Sequence, residues 1–187
     1  MDCQGKTVTE ARLAVLGLGN ILMGDDAWGP YLVRVLEAGY CFPEDVVLRD
    51  LGTPGLDLTP HVTGLEAIVL VDTVLSAGVP GELRQYRKAD LLRRPPSPPL
   101  NAHDPGVGEA LLLADAMGLG PAEVLLVGVI PERIAPGVGL SAAVRRALEP
   151  AAAAVLGELS RLGRPAVPRR PAPPPDAWWE AAAPAHG

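Results

Sequence analysis

Four short runs of the chain, at 12–18, 45–49, 66–72 and 123–130, are dominated by Val, Ile, Leu and Ala and do not alternate apolar with polar residues. A strand with one wet face alternates, whereas a strand covered on both faces does not. The pattern therefore predicts a mostly parallel sheet with helices on either side. Residues 82–87 (Glu82-Leu83-Arg84-Gln85-Tyr86-Arg87) do alternate, which suits an edge strand, where antiparallel pairing is also tolerated. Helical periodicity fills the gaps. Trp28, Leu32, Val35 and Leu36 fall on one face, a shorter helix is expected over 55–63, and Asp104-Pro105 opens another that reaches about Met117. A last helix runs from about Ser141 to Leu162 and should kink at Pro150. The expected fold is a three-layer α/β/α sandwich around a twisted sheet of about five strands, mostly parallel.

The 187 residues suit one domain. Its expected span is 11–163, after a polar arm at 1–10 and before a disordered Pro/Ala-rich tail at 164–187. That tail holds seven of the 21 prolines, and its Trp178-Trp179 pair reads as incidental. A net charge of −6, with no basic run outside the tail, argues against a nucleic-acid partner. The polar N-terminus, Met1 to Glu10, has no apolar core of signal-peptide length and no apolar run approaches membrane-spanning length, so no membrane partner is expected. Cys3 and Cys41 make neither a disulfide framework nor a zinc site, which fits a reducing cytoplasm. A monomer is expected.

The first strand runs into Gly17-Leu18-Gly19-Asn20-Ile21-Leu22-Met23-Gly24-Asp25-Asp26. Glycines at 17 and 19 allow a tight turn, and the two acids sit where a helix N-cap belongs. A dinucleotide fingerprint needs a third glycine at position 22, which is Leu, and no Gly-Lys-Ser/Thr ends the loop. Nucleotide binding is thereby disfavoured. Where α/β proteins commonly leave bare N–H groups for phosphate, this chain places carboxylates, which repel an anion and welcome a cation or a metal-bearing partner.

Two further polar residues are expected at the same rim, since open parallel sheets bind ligands beyond the carboxyl ends of their strands. Asp72 ends the apolar run Ala67-Ile68-Val69-Leu70-Val71, where an acid is costly unless it faces an opening. His103 lies in the loop before the helix at Asp104, a place that favours the neutral, metal-binding imidazole. Asp26, Asp72 and His103 make a mixed oxygen and nitrogen set suited to nickel, zinc or iron. Singly, each has a plainer account: a cap, a strand-end acid, a loop histidine. Only convergence favours the functional reading. The stretch Arg49-Asp50-Leu51-Gly52-Thr53-Pro54-Gly55 leaves the second strand on the same side, as a peptide-binding loop or as a simple turn. Neither H-E-x-x-H nor G-x-S-x-G occurs, which disfavours a conventional zinc protease and a serine hydrolase.

Together these segments, with Asn101-Ala102-His103 and Leu126-Val127-Gly128-Val129-Ile130-Pro131-Glu132, resemble the hydrogenase maturation endopeptidases, which trim nickel–iron hydrogenase large subunits. The resemblance spans about 13–162. It implies that Asp26, Asp72 and His103 are the catalytic, metal-contacting trio, and that Asp50, Gly52 and Thr53 lie near the substrate tail. It implies nickel as the metal, carried by the substrate precursor, with no permanently bound cofactor, and removal of a C-terminal extension from that precursor. Some members carry glutamate in place of Asp26, a glycine is frequent at Leu51, and Ala27-Trp28 replaces a commoner Gly-Phe type pair. Two other classes stay open: a nickel-sensing chaperone that binds the same precursor without cutting it, and a small-molecule- or nucleotide-binding α/β domain.

Overall fold

The computed structural model describes residues 11–54, 58–93 and 104–182. The chain begins with β1 (Leu13–Leu18), a 3-10 turn (Asp25–Ala27) and α1 (Trp28–Gly39), then β2 (Tyr40–Cys41), β3 (Val46–Gly52) and α2 (Thr59–Val62). It continues through β4 (Ala67–Thr73), β5 (Leu83–Arg87), α3 (Lys88–Leu92), α4 (Asp104–Ala116) and β6 (Glu123–Val129). It finishes with α5 (Ala142–Arg146), α6 (Leu148–Arg161), β7 (Val167–Pro168) and α7 (Trp178–Ala182). The main sheet has the order β3-β1-β4-β6-β5, parallel except for β5, which runs antiparallel along the β6 edge.

The unbroken apolar runs follow from this layering. Leu13, Val15, Val69, Val71, Leu125 and Val127 pack toward α1 and α6. Their neighbours Ala14, Leu16, Ile68, Leu70, Val124 and Leu126 face Val62 of α2, Leu91 of α3 and Leu111 of α4. Both faces are therefore dry, and alternation is lost. β1 pairs with β3 on one side and β4 on the other, so the strand order reverses at β1 and opens a crevice at its carboxyl end.

Three expectations need correction. The single helix over 141–162 is two, because α5 stops at Arg146 and α6 starts at Leu148. Pro150 is the cause, since its ring would strike the carbonyl four residues back, at Arg146. It sits instead in the first turn of α6, where no N–H is required. Second, residues 164–182 are ordered on the domain. β7 pairs with β2, and Arg169 Nε donates to the carbonyls of Glu37 and Tyr40 at 3.2 and 3.0 Å. Trp179 is only 2% exposed and meets Tyr31 edge to face at 5.1 Å. Prolines rule out helical periodicity there, but an extended segment needs only a few anchors. Third, Cys41 is disulfide-bonded, which removes the support that its thiol lent to a reducing compartment.

The helix expected over 55–63 is reduced to α2, with 55–57 outside the described residues. The arm at 1–10 and residues 183–187 also lie outside them. No helix among the described residues is long and apolar enough to cross a membrane.

Candidate functional site

The turn after β1 is shaped by close packing. Gly19 has φ +127°, and a Cβ there would lie 1.8 Å from the carbonyl oxygen of Asp26, so no larger residue fits. The start of α1 rests directly on the sheet: a Cβ on Gly29 would be 2.2 Å from the Leu18 carbonyl oxygen and 2.5 Å from that of Val71. The close helix–strand approach that a dinucleotide fold obtains from its third glycine comes here from Gly29, beyond the interposed 3-10 turn.

Asp26 is buried, at 3% exposure, at the switch point. One carboxylate oxygen accepts the Asn20 N–H at 2.9 Å and the other the Thr73 hydroxyl at 3.1 Å. Asp72, fully buried at the end of β4, accepts the Thr73 N–H at 2.7 Å. Thr73 thus bonds both acids, its hydroxyl to Asp26 from the turn after β1 and its N–H to Asp72 near the end of the adjacent parallel strand β4. His103 lies outside the described residues. Among the described residues no group of three or more His, Cys, Asp or Glu is arranged to hold a metal ion.

Asp50 and Gly52 stand on the same rim. Gly52 has φ +59°, its N–H is received by the Asp50 carboxylate at 3.1 Å, and its carbonyl accepts the Gly19 N–H at 2.8 Å. Asp50 also lies 3.9 Å from a guanidinium nitrogen of Arg34. Thr53 is exposed beside them. Gly55 lies outside the described residues.

Sequence reasoning missed three partners of the carboxylates. Thr73 and Asn20 immediately follow residues already singled out, and a threonine closing a buried apolar strand was the available signal. The third is the set of main-chain N–H groups of Glu132, Arg133 and Ser141, all donated to Asp25. That pairing joins residues more than 100 positions apart and has no local signature. A cavity of about 850 Å³ adjoins this loop, lined by Asp25, Arg133, Ser141, Arg145 and Glu180 among others. A groove of about 470 Å³ lies beyond the end of β4, lined by Val74, Leu75, Ser76, Ala77, Ile130 and Pro131.

The hydrogenase maturation protease (HycI) family model matches residues 30–158. The chain is similar to the hydrogenase 2 maturation protease of Escherichia coli strain K12, at 35% identity over 162 residues, covering 84% of this chain and 96% of that protein. It is equally similar, at 35% over 164 residues, to the hydrogenase expression/formation protein HupM of Azotobacter chroococcum mcd 1, covering 87% of this chain and 78% of that one. Among solved structures it superposes on the hydrogenase maturating endopeptidase HybD from E. coli with a TM-score of 0.78 at 32% identity, covering 86% of this chain and 99% of that one.

Proposed function

The chain belongs to the hydrogenase maturation proteases, and from that premise we propose that it removes a C-terminal extension from the nickel-loaded precursor of a nickel–iron hydrogenase large subunit. The observation that carries this reading is the meeting of Asp26 and Asp72 around Thr73 at the switch point. Two buried acids that share one hydrogen-bonding residue are costly to desolvate, and a cation or a proton-transfer task at the site would offset that cost.

In this reading Asp26, Asp72 and His103 are the catalytic residues, and nickel arrives as part of the substrate. Carboxylate oxygens and a neutral imidazole suit that ion, so the precursor docks only once metal has been inserted. The protein holds no metal of its own and acts as a cytoplasmic monomer. Asp50, Gly52 and Thr53 lie along the path of the substrate tail. Docking places the scissile carbonyl near the two acids, and positioning of that kind supplies a large share of the rate. One carboxylate then takes a proton from the attacking water, or nickel polarises the carbonyl.

The test is to mix the protein with precursor, with and without nickel, and weigh the products by mass spectrometry. Loss of a C-terminal peptide only from nickel-loaded precursor is the expected result. Binding without mass loss would leave a chaperone, and no interaction would sink the reading.

A further inference from the structure

We infer that Asp25 is a positioning residue for Asp26, acting by locking the loop after β6 onto the turn that carries the catalytic acid. This rests on the reading of Asp26 as catalytic. Asp25 is 1% exposed, and among the described residues its oxygens accept main-chain N–H groups. One oxygen accepts the main-chain N–H groups of Glu132 and Arg133 at 2.9 and 3.0 Å, and the other that of Ser141 at 2.7 Å. The contact is reciprocal: Asp25 N–H donates to the Arg133 carbonyl at 3.2 Å, Gly24 N–H to Gly137 at 2.9 Å, and Gly137 N–H to Leu22 at 2.9 Å. Turn 22–26 and loop 132–141 are zipped together along their main chains.

Adjacent aspartates thus face different ways. Asp25 reaches to the β6 loop, and Asp26 reaches to Asn20 and β4. The 3-10 turn that holds both has no side-chain cap, and its N-cap is Gly24 at φ +62°, a conformation that glycine tolerates and other residues rarely adopt. The Asp25 carboxylate supplies the missing constraint. Three N–H groups satisfy a buried charge that would otherwise be unfavourable next to a second acid. A misplacement of about 1 Å in such a site costs about 10²-fold in rate.

Asp25→Asn preserves volume but offers one acceptor oxygen and turns an amide NH₂ toward main-chain N–H donors. With nickel-loaded precursor, kcat should fall about 10²-fold while KM changes less than about 3-fold. Hydrogen exchange at the amides of Glu132, Arg133 and Ser141 should accelerate, with the amides of β1 and β4 unchanged. Ser141→Pro, compatible with φ −58°, removes one of the three donors, whereas Ser141→Ala keeps it. Proline should slow cleavage more than alanine does, and this pair decides the matter if Asp25→Asn does not fold. Glu158→Gln, which disturbs a charged cluster at the opposite end of the sheet, should cleave at the wild-type rate. Cleavage by Asp25→Asn at the wild-type rate overturns the inference, as does a loss confined to KM, or equal rates for the two Ser141 variants. Wild-type protein that leaves the precursor uncut would instead defeat the proposed function, and amide exchange would still decide whether Asp25 holds the loop.

Discussion

Replacing Glu158 with glutamine and following stability across pH tests how the amino-terminal edge of the sheet is held. Glu158 is only 5% exposed, yet it is ringed by charge. Arg161 approaches it at 2.8 and 3.0 Å, and Arg87 at 2.5 and 3.1 Å. Hydrogen bonding from Arg161 first, and then from Arg87, holds the carboxyl down at about 2 from an ordinary 4.5, against burial that pushes it up. At about 1.36 kcal/mol per pH unit this corresponds to an upper bound of about 3 kcal/mol. Both arginines are about half exposed, so solvent screening reduces the expected figure to about 2 kcal/mol. Because the folded carboxyl titrates below the unfolded one, its contribution is fully present above about pH 4.5 and disappears as pH falls toward 2. Urea unfolding of wild type and Glu158→Gln should differ by about 2 kcal/mol near neutrality, and the gap should close steadily below about pH 4.5. A gap that stays constant down to about pH 3, or one below about 0.5 kcal/mol at neutrality, would refute the reasoning.

Trp179→Ala should destabilise the domain by about 3 kcal/mol or more, measured by the shift in urea midpoint, because a buried indole and its edge-to-face contact with Tyr31 are both lost. Gly19→Ala should abolish processing and lower thermal stability, since the new methyl collides with the Asp26 main chain. Asp72→Asn should fold normally but process nickel-loaded precursor at least about 10²-fold more slowly, read by mass spectrometry, because it removes a charge without changing shape. Asp26→Glu should keep partial activity in the same assay, and His103→Ala should lose it with little change in melting temperature; intact processing by His103→Ala would remove that histidine from the trio.

The strands were legible because burial on two faces leaves an unmistakable apolar run, as in Ala67 to Val71, and the antiparallel edge at β5 because one wet face restores alternation. Asp26 and Asp72 stood out as acids at the ends of such runs. What could not be read was any relation carried by the main chain of distant segments. The bond from Ser141 N–H to Asp25 requires knowing where the loop after β6 returns, which no local pattern encodes. Periodicity also misjudged the C-terminal segment, where extended, proline-rich residues pair with β2, anchor through Arg169 and deliver one indole to a cleft beside Tyr31. The break before Pro150 followed from a known clash whose location depends on the carbonyl four residues earlier, not on the proline itself.

The return of α7 to α1 has a consequence for biosynthesis. Tyr31 and Glu180, joined by a hydrogen bond of 2.5 Å, are 149 positions apart. At about 5–20 residues per second, the ribosome needs roughly 7 to 30 seconds to make the second partner after the first. Throughout that interval the sheet can assemble while the surface later capped by Trp179 stays open to water and to neighbouring nascent chains. A phenol in water titrates at about 10, so the ring that waits is already uncharged throughout physiological pH, and once α7 docks, burial and the Glu180 hydrogen bond raise it to about 12. The domain's last packing step is therefore one that a chaperone could usefully shield, and a C-terminal tag that crowded Trp178 and Trp179 would delay it further.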